Sequence, residues 1–137
     1  NPGDHGLIRT DFPGGWKKDL VNAFTGKGLK KEQKEMQDFT RILLNYRKQS
    51  SAIHSGKTIH FAPKDGVYII FRQNSEETVM LILNKNVKPY ALNLERFNEM
   101  NLIGTRFKNL LTSDKLILKN KLQLKDKGVL LLTKKSE

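Results

Sequence analysis

The chain has 137 residues, with 25 Lys and Arg against 14 Asp and Glu, for a formal net charge of +11. At 37% hydrophobic and 28% charged residues it reads as about one soluble globular domain, which excludes a disordered or low-complexity chain. The absence of cysteine excludes disulfide frameworks, thiol catalysis and zinc–thiolate sites but leaves the compartment open. The longest apolar runs, such as Val79–Leu83 and Val129–Leu132, are far too short to span a bilayer as a helix.

The first stretch, residues 1–29, is dense in breakers: Gly3, Gly6, Gly14, Gly15, Gly26 and Gly28 alongside Pro2 and Pro13. That density predicts a long loop, and so long a loop is usually functional or part of something larger. The chain opens on Asn1-Pro2-Gly3, which reads as the middle of a loop, so a piece of a longer protein is expected and its targeting is not legible. Within the loop, Asp4, His5, Arg9, Asp11 and Trp16 fall close together. Trp and Arg on a loop can form a sugar subsite, the indole stacking on a pyranose face while Arg and Asp bond its hydroxyls. The ordinary alternative is that Phe12 and Trp16 simply pin the loop to the body of the protein.

Lys31–Lys48 predicts a helix, since Met36, Phe39, Leu43 and Tyr46 recur at spacings of three and four, with Ile42 and Leu44 widening the stripe. Glu32 and Glu35 lie early and Arg41, Arg47 and Lys48 late, as the helix dipole favours. No Ser, Thr, Asp or Asn stands where it would cap the start.

From Ala52 the period changes to two. Strands are predicted at 57–62, 67–72, 78–83, 89–94, 106–111, 116–118, 121–124 and 129–133, with one helical turn over 95–100. Pro63-Lys64-Asp65-Gly66 and Gln73–Glu77 read as hairpin connections, and Gly104, Ser113-Asp114, Asn120 and Asp126-Lys127-Gly128 punctuate the rest. Many short strands at this spacing indicate an antiparallel β-sandwich of the Greek-key kind.

Few residues suggest chemistry. Asp4 and Asp11 could form an acid/base pair, but nothing in the sequence fixes their separation. His5, His54 and His60 are too scattered for a metal site, so no metal or other cofactor is expected. Gly26-Lys27-Gly28-Leu29-Lys30-Lys31 lacks phosphate-loop spacing, and no Gly-x-Ser-x-Gly elbow occurs. The lysines spread along the whole chain, with only the part from Lys115 onward approaching a basic stripe. That distribution suits solvated surface better than nucleic-acid recognition, and no nucleic-acid or membrane partner is expected.

The run Asp4-His5-Gly6-Leu7-Ile8-Arg9-Thr10-Asp11-Phe12-Pro13-Gly14-Gly15-Trp16, followed by Asn22-Ala23-Phe24-Thr25-Gly26, resembles the segment after the eighth barrel strand of neopullulanase-like enzymes, members of the α-amylase family of glycoside hydrolases. The helix, with Phe39, Leu43-Leu44-Asn45 and Tyr46-Arg47-Lys48, resembles the last barrel helix of that family. Tyr68–Arg72 and Val79–Asn84 resemble its C-terminal sandwich, domain C.

The resemblance implies that residues 1–51 are the end of a truncated (β/α)8 barrel, a long loop and one helix, and that residues 52–137 are the sandwich that braces it. It also implies a retaining α-glucan hydrolase whose nucleophilic Asp, acid/base Glu and second Asp lie on barrel strands four, five and seven. Those strands precede Asn1, so no catalytic residue falls in this chain. Asp4 and Arg9 match the family's sugar-contacting pair after strand eight, with Trp16 nearby. The implied partners are an α-glucan or malto-oligosaccharide substrate in the intact enzyme and the catalytic barrel of the same chain. The helix stripe would normally pack on that barrel, so in the chain alone it is expected to fold onto the sandwich or a second copy, giving a homodimer. A free-standing carbohydrate-binding module and a basic nucleic-acid-binding domain are the alternatives.

Overall fold

A computed structural model describes residues 11–136, and the candidate residues Asp4, His5 and Arg9 lie outside that range. The chain divides into two compact units, Asn1–Arg41 and Ile42–Glu137, the division falling inside helix α1, Lys31–Gln49.

In the first unit the predicted loop is held by its own hydrogen bonds. The Asp19 carboxylate accepts from the backbone N–H of Gly14 at 2.7 Å and of Trp16 at 3.1 Å. Asn22 pairs with Lys27 as an isolated bridge, and its side-chain oxygen accepts from the N–H groups of Phe24 and Thr25. Gly14 has φ +101°, and a Cβ there would meet the Asn22 side chain at 2.7 Å, so both conformation and space require glycine. Helix α1 starts without a small polar cap, as the sequence indicates, but Gln33 compensates. Its Oε1 accepts from the Lys30 N–H at 2.9 Å, the reverse half of a capping box. Asp38 then pairs with Lys34 one turn back and with Arg41 one turn on.

The second unit begins with the last part of α1 and continues into α2, Ser51–Ser55, a single turn the sequence reading did not contain. Ser50 makes this turn possible, because its hydroxyl accepts from the Ile53 N–H at 3.2 Å. Arg72 closes the other end, donating to the carbonyls of Ala52 at 3.2 Å and Ile53 at 3.0 Å. Five residues are too few for a helical period to be read, so only the caps could have shown it.

Eight strands follow: β1 Lys57–Lys64, β2 Val67–Gln73, β3 Glu77–Asn84, β4 Tyr90–Asn93, β5 Arg106–Asn109, β6 Lys115–Ile117, β7 Lys121–Leu124 and β8 Val129–Lys135. A 3-10 segment, Leu94–Met100, takes the place of the expected helical turn. All pairings are antiparallel, in a six-stranded sheet ordered β1-β2-β3-β8-β5-β6 and a two-stranded sheet of β4 and β7. After β3 the chain enters the small sheet as β4, returns to the large sheet as β5 and β6, crosses again as β7, and comes back as β8 between β3 and β5. The mainly β, antiparallel sandwich expected from the sequence is therefore the fold. The β1–β2 turn places Asp65 at φ 51° and Gly66 at φ 75°, the two-residue left-handed turn that an Asp-Gly pair favours.

The principal core lies between the two sheets. Phe71, Met80, Ile82 and Leu132 of the large sheet meet Leu92 and Leu124 of the small one, with Leu94 and Phe97 of the 3-10 segment filling between. Phe61 packs edge-on against Phe97 at 4.8 Å and Phe71 at 5.9 Å. A smaller core occupies the opposite face of the large sheet, where Ala52, Val79 and Leu131 are covered by Leu43, Tyr46, Ile53 and Leu110. Burial on both faces explains why β3 reads as the unbroken run Val79-Met80-Leu81-Ile82 instead of alternating. Val79, Met80 and Ile82, each 3% exposed or less, contribute about 1.5–3 kcal/mol apiece. Among the described residues no helix is long and apolar enough to cross a membrane.

Candidate functional site

Of the three sugar-contact candidates, Asp4, Arg9 and Trp16, only Trp16 is described. It stands on the loop of the first unit with 72% of its surface exposed. Phe12, Leu20 and Phe24 around it in sequence are also exposed, and Phe12 meets Phe24 edge-to-face at 5.1 Å. Neither Trp16 nor Phe12 is buried. The anchoring falls to Asp19, Asn22 and Ala23, whose N–H donates to the Pro13 carbonyl at 2.9 Å while its own carbonyl accepts from Gln37 at 2.6 Å. The result is an ordered loop that holds an indole outward. An outward indole is suited to stacking on the apolar face of a sugar ring, and the polar edges of such a loop to its hydroxyls.

Sequence reasoning passed over Asp19, whose bonds to Gly14 and Trp16 set the backbone beneath the indole. The signal was an Asp three residues after Trp16 in a Gly-rich turn, where carboxylates characteristically bind backbone N–H groups. Asp11 is exposed, and its proposed pairing with Asp4 falls outside the described residues. His54 on α2 and His60 on β1 stand on different elements, His60 lying 6.4 Å from the Tyr68 ring.

The second unit contains a buried carboxylate and a basic groove, neither singled out by the sequence. Glu77, at the start of β3, is 4% exposed and accepts from the hydroxyls of Tyr46 and Ser50, each at 2.5 Å, and from the Ala52 N–H at 3.2 Å. Burial alone would push its carboxyl up. The Ser50 and Tyr46 hydroxyls, the Ala52 N–H and the nearby Lys135 outweigh that and hold it below the ordinary carboxylate range. Tyr46 is pushed up in turn, by burial and by the carboxylate it serves. Every polar contact of Glu77 is spent inside the fold, joining the end of α1, α2 and β3. It is a structural acid.

The groove, about 470 Å³ in volume, opens where β5 and β8 part. Their pairing stops at Lys108↔Thr133, and Arg106, Lys108, Lys115, Lys134 and Lys135 gather around the opening.

Comparison with known proteins places this geometry in a family. The model of the Cyclo-malto-dextrinase C-terminal domain matches residues 58–133, more than half of the chain. The fold is similar to part of AmyP, seen in complex with maltose, with a TM-score of 0.62 and 15% identity over 79% of this chain and 22% of that one. An α-amylase from Anoxybacillus is similar at a TM-score of 0.59 and 21% identity, over 90% of this chain and 27% of its own. The cyclic α-maltosyl-(1→6)-maltose hydrolase of Arthrobacter globiformis is similar at 0.54 and 14% identity, over 79% and 22%. The chain thus spans about a quarter of the length of these proteins or less. From strand β1 to strand β8, this chain belongs to the family of the Cyclo-malto-dextrinase C-terminal domain.

Proposed function

We propose that the chain is the C-terminal part of an α-glucan hydrolase of the neopullulanase and cyclomaltodextrinase kind, in which the sandwich braces a catalytic barrel encoded upstream. The match of the family model to residues 58–133 carries this reading. The similar structures support it: one is an α-amylase, one a cyclic α-maltosyl-(1→6)-maltose hydrolase and one holds maltose, and each is several times longer than the chain. The nucleophile and the acid/base residue then belong to the barrel, and this chain supplies no catalytic group. Residues 1–51 are the end of that barrel in this reading, and Asp4, Arg9 and Trp16 contact the sugar on the non-reducing side of the cleaved bond. Trp16 brings its exposed indole to the site. Asp4 and Arg9 bring a hydrogen-bond acceptor and a planar donor fork.

The test is an assay of the whole protein that carries this chain against cyclomaltodextrins, pullulan and soluble starch. Hydrolysis of at least one, with retention at the anomeric carbon, is the expected result. A folded protein inert on all of them overturns the reading. Cleavage of cyclomaltodextrins together with pullulan would mark the neopullulanase-like specificity, and cleavage of starch alone would exclude it. A second reading, an accessory module that grips malto-oligosaccharides without shaping the cleft, draws on the same outward Trp16. Under it Trp16→Ala weakens attachment to long glucans and leaves turnover of short ones intact.

A further inference from the structure

The basic groove between β5 and β8 is not used by the glucan reading, since α-glucans are uncharged. On β5 and β6 the register sets Lys108 directly opposite Lys115, and on β5 and β8 it sets Lys108 opposite Thr133. Side chains alternate across a strand. Phe107 and Leu116 point to the main core, so Arg106, Lys108 and Lys115 share the other face, and Lys135 joins them by its spacing from Leu131. Lys134 lines the parted strand ends from the opposite side.

Like charges directly opposite each other on adjacent strands repel, and a fold gains nothing from that arrangement by itself. Among the described residues none of these five cations enters an ion pair. Among the described residues, Glu76, Glu77 and Asp114 stand next to the groove in the chain or in register, and Glu76 is held by its backbone to Ser136, its carbonyl accepting from the Ser136 N–H at 2.7 Å. Glu77 faces Lys135 in register but is enclosed by Tyr46 and Ser50. Asp114, beside Lys115, is bonded to the Thr112 hydroxyl at 2.6 Å. The groove itself has no acidic lining. Its only aromatic, Phe107, is buried, so it offers no platform on which nucleic-acid bases could stack.

We propose that this groove is a binding site for a multivalent phosphate ligand. Arg106 supplies a planar fork matched to phosphate oxygens, Lys108, Lys115 and Lys135 supply mobile point charges from the same face, and Lys134 adds a charge at the parted strand ends. The volume is in the range that takes a small molecule. The phosphate is carried either by a free polyphosphate or by a sugar as its ester, and the two are separated by the probe. The inference is independent of whether the whole protein cleaves glucans.

The experiment is calorimetric titration of the whole protein with inorganic tripolyphosphate and, separately, with glucose 6-phosphate at near-physiological salt. Binding of one equivalent of either is expected. Tripolyphosphate alone would indicate a free polyanion, and glucose 6-phosphate binding at least as tightly would indicate a sugar ester. Lys108→Gln with Lys115→Gln should weaken binding about tenfold or more. Removing the same two charges at the other end of β8, by Lys85→Gln with Lys125→Gln, should change it less than about twofold. The Lys108/Lys115 variant should melt no lower than the parent, because it removes a repulsion. Should it fail to fold, Lys134→Gln with Lys135→Gln gives the same readout from the parted ends. Absence of binding by the parent protein, or equal loss in the groove and control variants, overturns the proposal.

Discussion

Glu77 shows how one residue can hold three elements together. Its carboxylate is taken out of water and repaid by three donors, from the end of α1, from Ser50 and from α2. Replacing it by Gln keeps the shape but exchanges one acceptor oxygen for an NH2 group facing a hydroxyl donor or an N–H. A cost of about 1–3 kcal/mol is expected, measured as a lower urea midpoint with unchanged slope. The same residue makes stability depend on acid. Its folded carboxyl titrates below the unfolded one, so the folded state favours the ionised form. That contribution is complete above the unfolded value and drains away as pH falls through the lower, folded value. Between about pH 5 and pH 3 the parent should lose stability more steeply than Glu77→Gln, since the variant has no proton to take up there. Equal slopes would mean that other carboxylates set the acid limit. None of this was legible in the sequence, where Glu77 is one more acid beside Glu76 in a turn. Its role depends on partners 25 to 31 positions away.

At the scale of elements the sequence was more open. The period of α1 and the β-branched runs of the strands are local signals, and each predicted strand is present with its ends moved by at most two residues or so. The Asp65-Gly66 hairpin was legible for the same reason, because a left-handed two-residue turn has its own residue preferences. It yields a sharp expectation. Gly66→Ala must hold an L-residue at φ 75°, with its new methyl 2.4 Å from the Asn86 side chain that bonds the Asp65 carbonyl. A loss of about 1–2 kcal/mol or more follows, and Gly104→Ala, also at positive φ but with open space around it, should lose less. Comparing the two melting curves separates the steric part from the conformational part. What stayed hidden at this scale was α2, because a single turn is specified by Ser50 and Arg72 at its ends and not by any period within it. The candidate site divides along the same line. Trp16 could be picked out by its type and company, whereas Asp19 and the groove cations are defined by contacts and register that no spacing reveals.

For the molecule as a whole the informative surface is that of α1. Met36, Phe39, Ile42 and Leu44 are exposed along this helix, whereas Leu43 and Tyr46 are packed against Ala52, Val79 and Leu131. Within the second unit, the sandwich covers Leu43 and Tyr46 of this helix. Large apolar side chains grouped on one helix are rarely left to water, and here they fit the proposal that an upstream barrel covers them. That proposal makes an opposite forecast for the chain alone and for the whole protein. Alone, residues 1–137 should self-associate through α1, with sedimentation showing a dimer that dissociates on dilution. Met36→Lys with Phe39→Lys should leave this shortened protein monomeric at every concentration with little change in its melting temperature, because both side chains are exposed in it. In the whole protein the same pair should do the reverse. With the barrel seated on the helix, two buried lysines would destabilise the enzyme by several kcal/mol, and glucan hydrolysis should fall with the fraction folded. A strictly monomeric parent chain, or a whole protein indifferent to both lysines, would mean that α1 faces solvent and that the barrel, if present, is seated elsewhere.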